Sequence, residues 1–266
     1  MVGFVGGVWR RAALHMEAIS ADALGDAAVS AKMRASLRES CIALTRFSAA
    51  DARAVLRLDA TARAFMASPG RKRAVYDRVL PGAGMRPVRV GWRSVNPEIK
   101  ELFRVYSSAP LPPHLPPQFR RALLQVQRLL DRLLTATLMA ALQCSRRELP
   151  RRGASTLDIF LYFNRQEKSD RFSNCTPHID RGLLSAVVVP EVRGLVVSDP
   201  TDCRDRIPRP GWRDPTAGAE PLGDAVVFVN HELQELSSKR YRACVHAVES
   251  VRGRPRLSLS YELRSS

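Results

Sequence analysis

The segment Thr176-Pro177-His178-Ile179-Asp180 sets an imidazole and a carboxylate two residues apart. In an extended strand side chains alternate between faces, so His178 and Asp180 would share one, with Cα atoms about 6.6 Å apart. Groups so placed can converge on one divalent ion. A second imidazole, His246, lies in another short β-rich run, residues 244–248. Two histidines and a carboxylate on one side of a metal, with the other positions open, suit non-haem Fe(II) and O2 chemistry. Taken alone, a His-x-Asp pair more often marks a surface turn or a hydrogen-bonded core histidine.

Ten residues beyond His246, Arg256-Leu257-Ser258 opens a run that alternates cleanly. Arg256, Ser258, Ser260 and Glu262 fall on one face, and Leu257, Leu259, Tyr261 and Leu263 on the other. Facing inward, an arginine with a hydroxyl two residues on can clamp a carboxylate by a bidentate pair and one further hydrogen bond. Facing outward, the same residues are the solvated side of an edge strand. The ordered set His178, Asp180, His246, Arg256 and Ser258 is more specific than any of its parts.

Several elements must bring these residues together. Residues 20–66 show helical spacing, with apolar side chains at Met33, Leu37 and Cys41 and again at Ala54, Leu58, Ala62 and Phe65. Residues 42–47 between them read as a short strand. Residues 68–97 are rich in Pro and Gly and read as loop. Residues 99–106 form a short segment, and a Pro-rich spacer covers 110–117. The clearest helix is predicted at 118–142, where a stripe running from Phe119 through Leu130 to Leu142 is the face that packs on a sheet. From residue 155 onward, β-rich runs (157–164, 183–189, 194–199, 225–230, 244–248, 256–263) alternate with turn-formers, which predicts an antiparallel sandwich or barrel. The expected organisation is an N-terminal helical region (1–110), a linker with a long buttressing helix (111–150) and a β core (151–266).

Composition excludes several classes. The 266 residues are 45% hydrophobic and can bury a substantial core, so the chain is neither disordered nor collagen-like. No apolar run approaches the roughly 20 residues of a bilayer-spanning helix. The net charge is +16, and 37 of the 42 basic residues are Arg, scattered singly and in short groups. Without a run of five to eight Lys/Arg, that charge reads as solvated faces and not as a nucleic-acid footprint. Arg71-Lys72-Arg73, with Arg86, Arg89 and Arg93, would suit an acidic small substrate or simply face solvent. Five cysteines, far apart and without a Cys-x-x-Cys pair, form no disulfide framework and no zinc ribbon. A cytoplasmic setting is expected, with an organellar leader around Arg10, Arg11 and His15 as the alternative.

His178-Ile-Asp-Arg-Gly-Leu-Leu, Gly194-Leu-Val-Val-Ser-Asp, Trp212, Gly223-Asp224, Val229-Asn230, Tyr241, His246 and Arg256-x-Ser258 together resemble the Fe(II)/2-oxoglutarate dioxygenase superfamily, in particular its isopenicillin-N-synthase-like branch. The resemblance spans nearly the whole chain. It implies a mainly β fold with flanking helices: a double-stranded β-helix, or jelly-roll, core behind a helical N-terminal region. It implies that His178, Asp180 and His246 hold Fe(II), and that Arg256 and Ser258 take the distal carboxylate of 2-oxoglutarate. Tyr162 would hydrogen-bond the same co-substrate. The implied activity is an oxidoreductase that oxidises, by default hydroxylates, a small molecule with O2 and 2-oxoglutarate, releasing succinate and CO2. A monomer is expected, without membrane or nucleic-acid partner. The other readings are a nucleic-acid-modifying dioxygenase and a catalytically inactive jelly-roll interaction protein. The chain departs from the family pattern at Phe160, where Asn is usual. It also lacks the Gly-Asp after Asn230, has Lys239 near an expected turn Gly, and has Ala247 after the second histidine. His231 reads as a surface turn.

Overall fold

The computed structural model describes residues 12–14, 16–75, 78–80, 88–151, 155–165, 174–198, 211–251 and 253–265. Arg10, Arg11, His15, Arg86 and Cys203 lie outside the described residues. The chain opens with two short strands, β1 (Ala12–Ala13) and β2 (Ile19–Ser20), followed by helix α1 (Ala27–Ser40). The Asp26 carboxylate caps α1 by accepting from the amides of Ala28 and Val29, and Cys41 ends it in a left-handed conformation, φ 57°. The chain continues through β3 (Ile42–Arg46) and α2 (Ala49–Met66), the latter capped by Ser48, which accepts from the Asp51 amide.

Residues 68–97, expected as loop, contain α3 (Pro69–Ala74), β4 (Arg78–Leu80) and β5 (Val88–Asn96). β5 pairs antiparallel with β6 (Lys100–Tyr106) across the turn at 97–99, with Trp92 opposite Phe103. The glycine pattern here punctuates strands without replacing them: Gly91, at φ 111°, sits within β5 and still pairs with Arg104.

The 26-residue helix α4 (Pro117–Leu142) follows, with Pro at its first turn. Beyond it come β7 (Thr156–Tyr162), β8 (Cys175–His178), β9 (Leu184–Val188), β10 (Leu195–Val197), β11 (Arg213–Asp214), β12 (Asp224–Val229), α5 (His231–Leu236), β13 (His246–Val248) and β14 (Arg256–Leu263). The strands form a nine-stranded sheet in the order β2-β3-β12-β9-β14-β7-β6-β5-β4 and a five-stranded sheet in the order β1-β11-β10-β13-β8. The two sheets are the jelly-roll, and the helices flank it.

Helices α2 and α4 pack together on the outer side of the large sheet. There the rings of Phe65, Phe103 and Phe119 meet at centroid distances of 4.8–5.3 Å, each worth about 1.5–3 kcal/mol of burial. The Tyr241 hydroxyl ties onto α4 by donating to the Ala141 carbonyl, 2.8 Å away. Between the sheets a second core forms from Ile42, Leu44, Val189, Val226 and Phe228 against Leu195 and Val197. Toward β14 and β7 this inner layer turns polar, and that change locates the site. β14 is no edge strand: β9 and β7 flank it on either side. Arg256, Ser258 and Ser260 face Tyr162, Phe160 and Asp158 across the β7 pairing. Among the described residues, no helix is long and apolar enough to cross a membrane, and Cys41, Cys144, Cys175 and Cys244 are free thiols.

Candidate metal centre

β8 and β13 run antiparallel with His178 directly opposite His246, so both imidazoles project from the same face. Their ring centroids are 4.3 Å apart. Asp180 reaches them by a different route from the one its spacing suggests. β8 stops at His178, and Asp180 stands beyond it in the bend that leads into β9. That bend brings one carboxylate oxygen to 3.4 Å from His178 Nε2 and the other to 3.9 Å from His246 Nε2. One ligand atom from each of the three lies within 4.8 Å of the others, which makes this the single such triad among the described residues.

Neighbouring groups orient the three side chains. His178 Nδ1 lies 2.8 Å from the Thr176 carbonyl, and His246 Nδ1 lies 3.3 Å from the Cys244 carbonyl. A carbonyl only accepts, so each Nδ1 carries a hydrogen and each Nε2 is turned toward Asp180. On Asp180, Oδ2 accepts from the Ser185 hydroxyl at 2.7 Å, and that hydroxyl accepts in turn from Asn230 Nδ2 at 2.9 Å. Burial opposes ionisation of Asp180, but the electrostatic influence of His246 and hydrogen bonds from His178 and Ser185 hold the carboxyl well below the usual range. Burial also works against protonation of His178, yet hydrogen bonding to Asp180 and Cys175 pushes it up to about 10. Burial keeps His246 neutral more readily than a free imidazole. The set is a preformed N,N,O face with an anionic member, suited to a divalent cation.

The triad opens into a cavity of about 320 Å³ between the sheets. At one end stands Arg256, only 1% exposed. Its Nε donates to the Val192 carbonyl at 3.1 Å, but Nη1 and Nη2 are buried without a hydrogen-bond partner. The Tyr162 ring lies 5.2 Å from the guanidinium carbon. Burial pulls Arg256 below its ordinary range and pushes the Tyr162 phenol up. A buried guanidinium with two unspent donors is costly unless an anion completes it, and a carboxylate matches that fork. Ser258, on the same face and buried, lines the same cavity. Phe160 stacks on Tyr162 at 5.7 Å, so the position where Asn is usual presents a ring here.

At the other end of β14 the cavity is polar in a way that spacing alone did not reveal. Arg104 on β6 makes a bidentate pair with Asp158 on β7, at 2.6 and 2.5 Å. Arg264 Nη2 donates to Glu262 at 2.5 Å, and the Gly182 amide donates to the same carboxylate at 2.7 Å. Gly182 has to be glycine: a Cβ there would stand 2.4 Å from the Leu263 carbonyl. The alternation of β14 already set Glu262 on the face of Arg256, and that was the available signal. Ser185, Arg104 and Asp158 carried none, because each acts through a partner distant in sequence. Lys72, one of the basic residues weighed for an acidic substrate, is held 2.7 Å from Glu101 and over the Trp92 ring. His231 is exposed, as expected, but it opens helix α5 and does not lie in a turn.

No family model and no curated protein sequence matches the chain. Solved structures do. A proposed oxygenase from Shewanella oneidensis superposes with a TM-score of 0.73 at 19% identity, covering 95% of this chain and 90% of that one. The dioxygenase for auxin oxidation from rice gives 0.70 at 21% identity, over 94% and 83% of the two chains. A full-length Neurospora crassa protein in complex with alpha-KG and 5-formyluracil gives 0.71 at 16% identity, over 96% and 87%. At these identities the likeness establishes the fold, the jelly-roll of the 2-oxoglutarate/Fe(II) oxygenases, with helices flanking it as the sequence predicted.

Proposed function

We propose that the chain is a non-haem Fe(II)- and 2-oxoglutarate-dependent oxygenase that oxidises a small organic molecule. The observation that carries this reading is Arg256: a fully buried guanidinium with two unpartnered donors, opening on the same cavity as a His-Asp-His triad. Among structures of the same fold, one is a dioxygenase for auxin oxidation and another holds alpha-KG with 5-formyluracil. Each supports a small-molecule substrate.

His178, Asp180 and His246 would hold the iron through Nε2, a carboxylate oxygen and Nε2. Ser185 and Asn230 fix the Asp180 carboxylate, while the Thr176 and Cys244 carbonyls fix the two rings. Arg256 and Ser258 would receive the distal carboxylate of 2-oxoglutarate, and Tyr162 would flank it. With iron bound, the metal and co-substrate supply the oxidising power, coupling O2 reduction to release of succinate and CO2. The protein's share is to aim the co-substrate, keep the inner cavity dry through Phe228 and Val187, and present the substrate to the open side of the metal.

Anaerobic titration with Fe(II) and then 2-oxoglutarate tests the proposal. A visible charge-transfer band saturating at one equivalent is expected, and it should vanish in Asp180→Ala and His246→Ala. A folded wild-type protein that gives no band would exclude it.

A further inference from the structure

The end of the cavity remote from Arg256 holds one buried donor without a partner, and each oxygen of its two carboxylates already accepts a bond. Both Asp158 oxygens are taken by Arg104. Glu262 accepts from the Gly182 amide through Oε1 and from Arg264 through Oε2. Arg264 commits Nη2 to Glu262, yet its Nε is buried without a partner. Arg256 and Arg264 both line the cavity, and each has a buried guanidinium nitrogen without a partner. Each guanidinium is a planar fork suited to an oxyanion. A ligand entering the Arg264 end must bring the acceptor, and an ammonium group would meet guanidinium charge with both carboxylates already bonded. The bend at Asp180 lies beside this end, since Gly182 bonds Glu262 and Ser185 pairs with Glu262 across β9 and β14. A group held there would lie beside the segment that carries Asp180.

We infer that Arg264 is a specificity-determining residue that selects a small organic carboxylate as the substrate. The substrate's carboxylate docks at the far end of β14 from Arg256, which rests on the oxygenase reading for the meaning of "substrate" but not for the anion site itself. The cavity of about 320 Å³, shared with 2-oxoglutarate, suits a compact acid and not a polymer.

The test uses ligand-observed NMR and calorimetry on the full chain. Benzoate, phenylacetate and 3-phenylpropionate are compared with their primary amides, under saturating Fe(II) and 2-oxoglutarate with O2 excluded, and again without iron and 2-oxoglutarate. At least one acid should bind about tenfold or more tighter than its amide, the scale of a charge-assisted hydrogen bond. Arg264→Gln should erase that preference. Glu262→Gln, which removes the competing carboxylate, should strengthen it, so a loss in the first variant and a gain in the second cannot both come from misfolding. Equal binding of acids and amides, or a preference that survives Arg264→Gln, would overturn the inference. An acid preference in a protein that never shows the charge-transfer band would uphold the anion site and count against the oxygenase reading. A normal band without the preference would do the reverse.

Discussion

Replacing Arg256 with Met should weaken 2-oxoglutarate binding and at the same time raise the stability of the metal-free protein. The side chain is fully buried, and its Nη1 and Nη2 have no partner. Each orphaned donor costs about 1–3 kcal/mol. Against that relief stands the loss of one good bond, from Nε to the Val192 carbonyl at 3.1 Å, worth about 1 kcal/mol. Methionine fills similar length without charge, so the net gain is about 2 kcal/mol, or a rise in Tm of about 4–8 °C for a chain of this size. Binding moves the other way. Losing a bidentate carboxylate clamp removes about 3–4 kcal/mol, a factor of about 10² to 10³ in the Kd of 2-oxoglutarate. Calorimetric melts of the metal-free protein and anaerobic titration of the charge-transfer band read the two effects separately. A variant that melts lower than the wild type and keeps its 2-oxoglutarate affinity would show instead that Arg256 is a structural cation satisfied within the fold.

Ser185→Ala removes the hydroxyl that donates to Asp180 and receives Asn230; metal affinity should fall about 10- to 100-fold with little change in 2-oxoglutarate affinity once iron is saturating, read by competitive metal titration. The pH response should change sign with metal. In the metal-free protein the proton on His178, whose basicity is raised to about 10, contributes stability that is complete below about pH 6.5 and is lost as pH rises toward 10. A cation must displace that proton, so the rise in Tm on adding Mn(II) should grow over the same interval, checked by melts at fixed metal concentration. Gly182→Ala forces a methyl to 2.4 Å from the Leu263 carbonyl, and the strand end bearing Glu262 must shift; a loss of about 1–3 kcal/mol is expected in denaturant unfolding.

Much of the site was legible because its chemistry is carried by rare residue types at telling intervals. His178, Asp180, His246 and the Arg256-x-Ser258 pair stand out from a background of aliphatic strands, and the alternation of β14 already set Arg256, Ser258, Ser260 and Glu262 on one face. What stayed hidden depends on contacts between distant segments. Asp180 joins the triad from a bend and not from the face of a strand, a difference that a two-residue interval does not encode. Ser185 looks like an ordinary strand residue, and the role of Asn230 shows only when β9 and β12 pair and bring the two within 2.9 Å. Arg104 and Asp158 form a bidentate ion pair in the cavity only because β6 adds to β7, and β5 and β6 were partly obscured by the Gly and Pro around them. The charge surplus carried little, since Lys72 and Arg104 turned out to be consumed by Glu101 and Asp158.

Diffraction from crystals grown anaerobically with Fe(II) and 2-oxoglutarate, recorded on both sides of the iron absorption edge, tests the central claim most directly. One anomalous peak is expected about 2.0–2.2 Å from His178 Nε2, an Asp180 carboxylate oxygen and His246 Nε2, distances usual for such ligands, with a carboxylate seated on the Arg256 fork. An iron peak bound elsewhere, or 2-oxoglutarate lying away from Arg256, would contradict it.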